Sequence, residues 1–203
     1  MGRFKAIYVM GILLALCWTT PAKADDNAGA SEKGEPPHVG DKAPNFKAET
    51  VDGQIITLGD TKGAKAIVIC FTCNGCPVAQ AYEERFVEFN KKYADKGIKF
   101  VAINVNKGET LQDMKRRSEE KNFNFPYAYD ESRESARNYG ARVTPHLFIL
   151  DADAMVAYIG AFDDNMNVKE VKEHYAADAI EALLKGEKPK TTETKAFGCG
   201  IKM

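Results

Sequence analysis

A chain of 203 residues with 28 Lys or Arg against 29 Asp or Glu and 44 % hydrophobic side chains is neither a disordered acidic tail nor a fibrous repeat. It is long enough to bury one core without covalent staples, and five cysteines are too few for a cysteine-stapled miniprotein. The net charge of −1 excludes a basic nucleic-acid stripe: the densest cluster, Lys115-Arg116-Arg117, precedes Glu119-Glu120, the mixture of a solvated helix face.

In chain order, Met1 to Ala24 opens with Arg3 and Lys5, continues through an apolar run from Ala6 to Trp18, and ends on Ala22-Lys23-Ala24. Those last residues place small side chains where a signal peptidase reads. The run is shorter than the roughly 20 residues a membrane-spanning helix needs. Export with cleavage after Ala24 is expected, to the periplasm or the outside of the cell, and an uncleaved anchor is the alternative. Lipidation at Cys17 is disfavoured by the bulky Leu16 before it. Cleavage removes Arg3, Lys5, Lys23 and Cys17, making the charge three units more negative and leaving four cysteines in a compartment where thiol pairs stay chemically live. No membrane association is expected after cleavage. Residues 25–36 read as a disordered leader, 37–185 as one domain, and 186–203 as a cysteine-bearing tail.

Gly40, Asp41 and Pro44 turn the chain toward a short strand at Phe46, and Val51-Asp52-Gly53-Gln54 is a hairpin-like turn before Ile55 to Leu58. Lys65 to Phe71 (KAIVICF) is β-branched and almost wholly apolar, the pattern of a strand covered on both faces. After Thr72-Cys73-Asn74-Gly75-Cys76-Pro77, the recurrence of Ala79, Tyr82, Phe86, Phe89, Asn90 and Tyr93 predicts a helix, with Pro77 in its first turn and Gly97 at its exit. Ile98 to Val105 is a second buried strand and completes a right-handed βαβ unit. A helix over Glu109 to Lys121, an extended Phe123 to Tyr129 and a short helix over Ser132 to Tyr139 follow. Val143-Thr144-Pro145 then leads into a hairpin of His146 to Leu150 and Met155 to Ile159. Val168 to Leu184 is predicted as the closing helix, with Val171, Tyr175, Ala179, Ala182 and Leu183 on its inner face. The whole is a βαβ half followed by a hairpin and a helix, an α/β architecture around one mixed sheet flanked by helices.

Chemistry concentrates at Cys73 and Cys76. A C-x-x-C at the C-terminal end of a buried strand lies where open α/β sheets bind ligands. At a helix start, unpaired backbone N–H groups stabilise a thiolate and lower its pKa from about 8.5. A thiolate attacks a disulfide, and the second cysteine resolves the mixed disulfide. Half of a metal site and an inert structural disulfide are the alternatives. A zinc site would need two further ligands, and Cys199 with His38 or His174 makes a poorly spaced set. No cofactor or metal is expected. Cys70 reads as a core thiol. Cys199, in a Gly-Cys-Gly tail flexible enough to reach elsewhere, is an exposed leftover, a partner for Cys70, or an additional resolving thiol for Cys73 and Cys76.

The run Val39-Gly40-Asp41-Lys42-Ala43-Pro44-Asn45-Phe46, Asp52-Gly53, the strand to Cys73, and Tyr139-Gly140-x-x-Val143-Thr144-Pro145-x-Leu147-Phe148-Ile149-x-Asp151 together resemble the redoxin (AhpC/TSA-type) branch of the thioredoxin-like superfamily. The resemblance spans about Pro37 to Lys185 and implies a thioredoxin-like fold. It matches Cys73 to the attacking cysteine, Cys76 to its resolving partner, and Pro145 to the cis-proline opposite the dithiol. That cis bond would turn the Thr144 backbone toward substrate and offer an edge for an extended peptide. His146, next to that proline, would lie near the dithiol and stabilise thiolate or move protons, or it is a strand-edge surface histidine. Two departures stand out. Thr72 replaces the Trp that precedes the first cysteine in thioredoxins. The Pro-x-x-x-Thr-x-x-Cys run of peroxiredoxins is also absent, because Thr72 lies four residues before Cys76 and lacks the upstream proline.

The expected function is an exported thiol–disulfide oxidoreductase acting through Cys73 and Cys76, supported by Thr144, Pro145 and His146. Its partners would be a protein or small-molecule disulfide and a dithiol electron donor or acceptor, with no nucleic acid. A thiol peroxidase taking peroxide is the runner-up. A non-enzymatic binding module on the same fold is the third reading.

Overall fold

The computed structural model describes residues 1–2 and 35–203, so the expected export signal and leader lie almost wholly outside the described residues. Among those described, no helix is long and apolar enough to cross a membrane.

Lys47–Thr50 (β1) and Ile55–Thr57 (β2) form an antiparallel hairpin around the turn at Gly53. Ala66–Thr72 (β3) follows, then helix Pro77–Tyr93 (α1), strand Ile98–Asn104 (β4) and helix Leu111–Glu120 (α2). Tyr127–Tyr129 (β5) and helix Glu134–Tyr139 (α3) lead to Val143–Thr144 (β6), His146–Asp151 (β7) and Val156–Gly160 (β8). Helix Tyr175–Leu184 (α4) and Cys199–Gly200 (β9) end the chain. Seven strands make one mixed sheet in the order β2-β1-β5-β4-β3-β7-β8, and β6 pairs with β9 in a separate two-stranded piece.

The β3 strand is buried at all seven positions because both faces of the sheet are covered. Ala66, Val68 and Cys70 face a core shared with Tyr82, Phe86 and Phe89 of α1 and with Ala179 and Ile180 of α4. Ile67, Ile69 and Phe71 face the opposite core, with Phe148 of β7 and Ala136 and Tyr139 of α3. β3 runs parallel to β4 from Ala66↔Ile98 to Thr72↔Asn104 and antiparallel to β7 on its other side. The thioredoxin-like fold, the βαβ unit and the β7–β8 hairpin are therefore present.

The closing helix is shorter than the periodicity predicts. Val168–Glu170 is a single 3₁₀ turn, Val171 is extended (φ −62°, ψ 128°), and α4 begins only at Tyr175. The Asp164 carboxylate accepts the amides of Lys172 and Glu173, holding that stretch out of the helix. The buried face of α4 is Ala176, Ala179 and Ile180 rather than the predicted Val171, Ala182 and Leu183.

Polar positions of α1 also reach further than an exposed face would. Glu83, 5 % exposed, takes both the Nε (2.9 Å) and Nη2 (2.8 Å) of Arg117 from α2. Arg85 lies on the Tyr82 ring and pairs with buried Asp163, which also accepts the Tyr82 hydroxyl at 2.7 Å. These contacts fix α1, and with it the residues at its N-terminus.

The tail is not a free arm. Thr194 N donates to Ile159 O at 3.0 Å, and Ala161 N donates to Thr194 Oγ1 at 3.0 Å, laying the tail along the exposed edge of β8. Phe197 then packs on Tyr82, and β9 pairs antiparallel with β6 in the register Val143↔Gly200 and Thr144↔Cys199.

Candidate active site

The loop 73–76 leaves the C-terminal end of β3 and enters α1, whose first residue is Pro77. Cys76 is the N-cap: its φ of −93° and ψ of 116° are extended, and its sulfur accepts the Ala79 N–H at 3.4 Å. The capping geometry that a Ser or Asp side chain supplies elsewhere is here supplied by sulfur, in the positive end of the helix field.

Asn74 and Gly75 are held from below by Glu109. Its carboxylate accepts the Asn74 amide at 2.8 Å and the Gly75 amide at 3.0 Å, and also the Asn104 side-chain amide at 2.7 Å. The Tyr127 hydroxyl donates to Asn74 Oδ1 at 2.8 Å, and Gln80 Nε2 to Asn74 O at 2.6 Å. Glu109 was expected inside a helix; Thr110 is the N-cap of α2, so Glu109 precedes it. The signal that could have found it is topological. β3 and β4 are parallel neighbours, so the loops leaving their C-terminal ends converge, and an acid in the second loop meets bare amides in the first.

Opposite the loop, the Thr144–Pro145 peptide is cis, as the resemblance implied. Thr144 is fully buried, its hydroxyl lies 3.3 Å from Cys73 Sγ, and its carbonyl accepts the Cys76 thiol at 3.2 Å. Cys199 packs against Cys73, Cys76 and Ala79. The Cys199 thiol stands beside the Cys76 sulfur in this cluster. All three sulfurs are free thiols in one cluster, while Cys70 lies apart, fully buried beneath α1 and pushed far above the ordinary thiol range by that burial.

The two dithiol sulfurs differ in acidity. Burial pushes Cys73 up to about 11, only partly offset by the Thr144 hydroxyl, and the Glu109 charge adds to the rise. Burial opposes ionisation of Cys76, but the neighbouring Cys199 thiol and the Ala79 N–H on its sulfur outweigh it and bring the thiol below its ordinary value. Cys76, which caps the helix, is thereby the more acidic of the two thiols, whereas the resemblance matches Cys73 to the attacking cysteine.

His146 does not join the site. It pairs across the sheet with Phe71, its ring lies 4.7 Å from that of Phe148, and it hydrogen-bonds to no cysteine. Strand alternation turns it toward the face away from α1, where burial lowers its pKa to about 4 and leaves Nδ1 without a partner.

The profile of the AhpC/TSA family matches residues 39–159. The chain is 26 % identical over 185 residues, 91 % of this chain and 98 % of the other, to the thiol-disulfide oxidoreductase ResA of Bacillus thuringiensis subsp. konkukian. Among solved structures, an uncharacterized conserved protein of Geobacillus kaustophilus superposes with a TM-score of 0.78 at 34 % identity, over 82 % of this chain and 92 % of that one. A hypothetical protein of Sinorhizobium meliloti gives 0.78 at 32 % identity, over 83 % of this chain and 96 % of that one.

Proposed function

The chain belongs to the AhpC/TSA family of the thioredoxin-like superfamily, and from that premise we propose that it is a thiol–disulfide oxidoreductase whose nucleophile is Cys76. The observation that carries this is the Cys76 sulfur, capping α1 on the Ala79 N–H and facing Thr144 before a cis-proline. Similarity to an oxidoreductase along almost the whole chain supports the same class of reaction.

In the cycle, the Cys76 thiolate attacks one sulfur of a substrate disulfide. That bond breaks, the other substrate sulfur leaves as a thiolate, and Cys76 is left in a mixed disulfide. Cys73, deprotonated as the Cys76 charge is consumed, attacks Cys76 Sγ. The substrate is released as a dithiol and Cys73–Cys76 is oxidised, to be reduced by an external dithiol. Run backwards, the same steps oxidise a substrate, and the direction follows the potential of the pair against its partner. Glu109 keeps the Asn74–Gly75 backbone in place while the two sulfurs alternate.

The test is trapping. In a Cys199→Ser background, Cys73→Ser should accumulate a covalent adduct with a disulfide substrate, and Cys76→Ser should form none. An adduct on Cys73 in the Cys76→Ser protein, with none in the other variant, would return the attack to Cys73. Rapid peroxide consumption with sulfenic acid on Cys76 and no disulfide exchange would make the protein a peroxidase instead. Thiols inert to both reagents would leave a binding module. The N-terminal reading is part of the same proposal: the protein recovered from an exporting cell should begin at Asp25, and an intact Met1 on protein outside the cytoplasm would contradict it.

A further inference from the structure

Cys73 and Cys76 are 2 % and 1 % exposed, yet exchange requires an incoming sulfur to reach one of them. What lies over them is the chain's own tail. β9 adds to β6 as an antiparallel strand with Cys199 opposite Thr144, and Ile201 N extends the pairing by donating to Arg142 O at 2.9 Å. The Lys202 N–H donates to Asn106 Oδ1 at 2.9 Å and secures the end. Gly198 allows the approach: its φ is +152°, and a Cβ there would collide with the Thr144 carbonyl.

An extended segment paired to the edge before a cis-proline, with a cysteine packed against both dithiol sulfurs, has the form of strand addition by a bound polypeptide. Resting on the reading of Cys76 as the attacking thiol, we propose that residues 198–201 are an internal stand-in for a protein substrate and must be displaced before exchange. Substrates are then cysteines in extended polypeptide segments, preceded by glycine where the register brings that residue against Thr144. A small disulfide gains nothing from the edge.

The stand-in carries a thiol, so it also reacts. Once exchange has formed the Cys73–Cys76 disulfide, the Cys199 thiolate attacks Cys76 Sγ. The bond to Cys73 breaks, a Cys76–Cys199 bond forms, and Cys73 leaves as the thiolate. One disulfide and one thiol stand on each side, so no further oxidant is consumed. The product is a closed form with the docking edge covalently covered.

Two measurements on the full chain decide this. The protein is first oxidised with one equivalent of glutathione disulfide, then digested without reduction at acid pH and mapped by mass spectrometry. A Cys76–Cys199 cross-link is expected beside Cys73–Cys76; a map with Cys73–Cys76 alone, and Cys199 free to alkylate, overturns the closing step. The second measurement follows release of thionitrobenzoate from its mixed disulfides with the peptides Phe-Gly-Cys-Gly-Ile and Phe-Ala-Cys-Gly-Ile. Gly198→Ala, which lifts the tail, should react about tenfold faster than the unaltered chain with the glycine peptide, because the open fraction limits the rate. It should also favour the glycine peptide over the alanine one. Equal rates for the two proteins overturn displacement whatever the map contains. A Cys76 silent even toward the mixed disulfide of cysteamine would instead refute the underlying assignment of the nucleophile. Should Gly198→Ala fail to fold, Ile201→Pro, which removes the N–H donated to Arg142 O, takes its place in the rate comparison.

Discussion

The separation of the two thiols by Asn74 and Gly75 leaves Cys73 at the end of a strand and Cys76 on the cap of a helix, and their acidities follow from that. Alkylation of the reduced protein across pH, read by mass mapping, should therefore modify Cys76 first, with a midpoint below the ordinary thiol value. Cys73 should stay largely unmodified until its pKa of about 11 is approached. His146 gives a second prediction at this scale. Its folded pKa is depressed to about 4, so between the unfolded value of 6.5 and that figure the unfolded chain binds a proton that the folded chain does not. Stability is full above 6.5 and declines as pH falls toward 4, by up to about 3 kcal/mol. Denaturation of His146→Leu from pH 7 down to 4 should lack that component of the decline, while exchange activity is retained.

At the scale of elements, the site is an agreement between two loops and one strand end. The Glu109 carboxylate serves three donors from β4 and from the loop ahead of α1. Removing it leaves the amides of Asn74 and Gly75 without their partner, and hydrogen bonds to a charged group contribute about 1.5–3 kcal/mol. Glu109→Ala should lower stability by about 2 kcal/mol in urea denaturation and slow exchange further than that loss explains, because the loop between the sulfurs loosens. The loss of the charge also lowers the Cys73 pKa, visible as alkylation of Cys73 at lower pH. Asp163 acts at the same scale on the other side of α1. Asp163→Ala leaves Arg85, only 14 % exposed in its side chain, without its ion pair, and should cost about 3 kcal/mol in denaturant midpoint.

Across the whole molecule, the last ten residues complete structures begun elsewhere. They run along the β8 edge, fill a place beside Tyr82 and pair with β6. An exposed sheet edge invites pairing with other chains, and the tail covers part of this one. Thr194 is the anchor of that path: its hydroxyl accepts the Ala161 N–H and lies 2.6 Å from the Tyr158 hydroxyl. Thr194→Val keeps the shape and leaves the Ala161 amide unpaired, for about 1–2 kcal/mol. Hydrogen exchange should then quicken at Ala161 and along the tail, with the β3 amides unaffected.

Much of this was legible without coordinates. The apolar β3 run, the aromatic stripe of α1 and the Gly-Pro punctuation are local patterns, and local patterns specify elements and their order. The Cys73–Cys76 pair at a strand–helix junction named the chemistry for the same reason. Periodicity overran at Val168, where an Asp164 side chain eight residues from its partner amide broke the helix. The difference in acidity between the two cysteines, the placing of His146 on the sheet face away from α1, the grip of Glu109 and the resting place of Cys199 arise only in the tertiary structure. Each depends on partners brought together across the sheet: Thr144 lies 71 residues from Cys73, and Asn74 lies 35 from Glu109. Sequence spacing carries no record of such contacts, because what sets a thiol's acidity is the field and hydrogen bonding at its sulfur, and these exist only once the strands have paired.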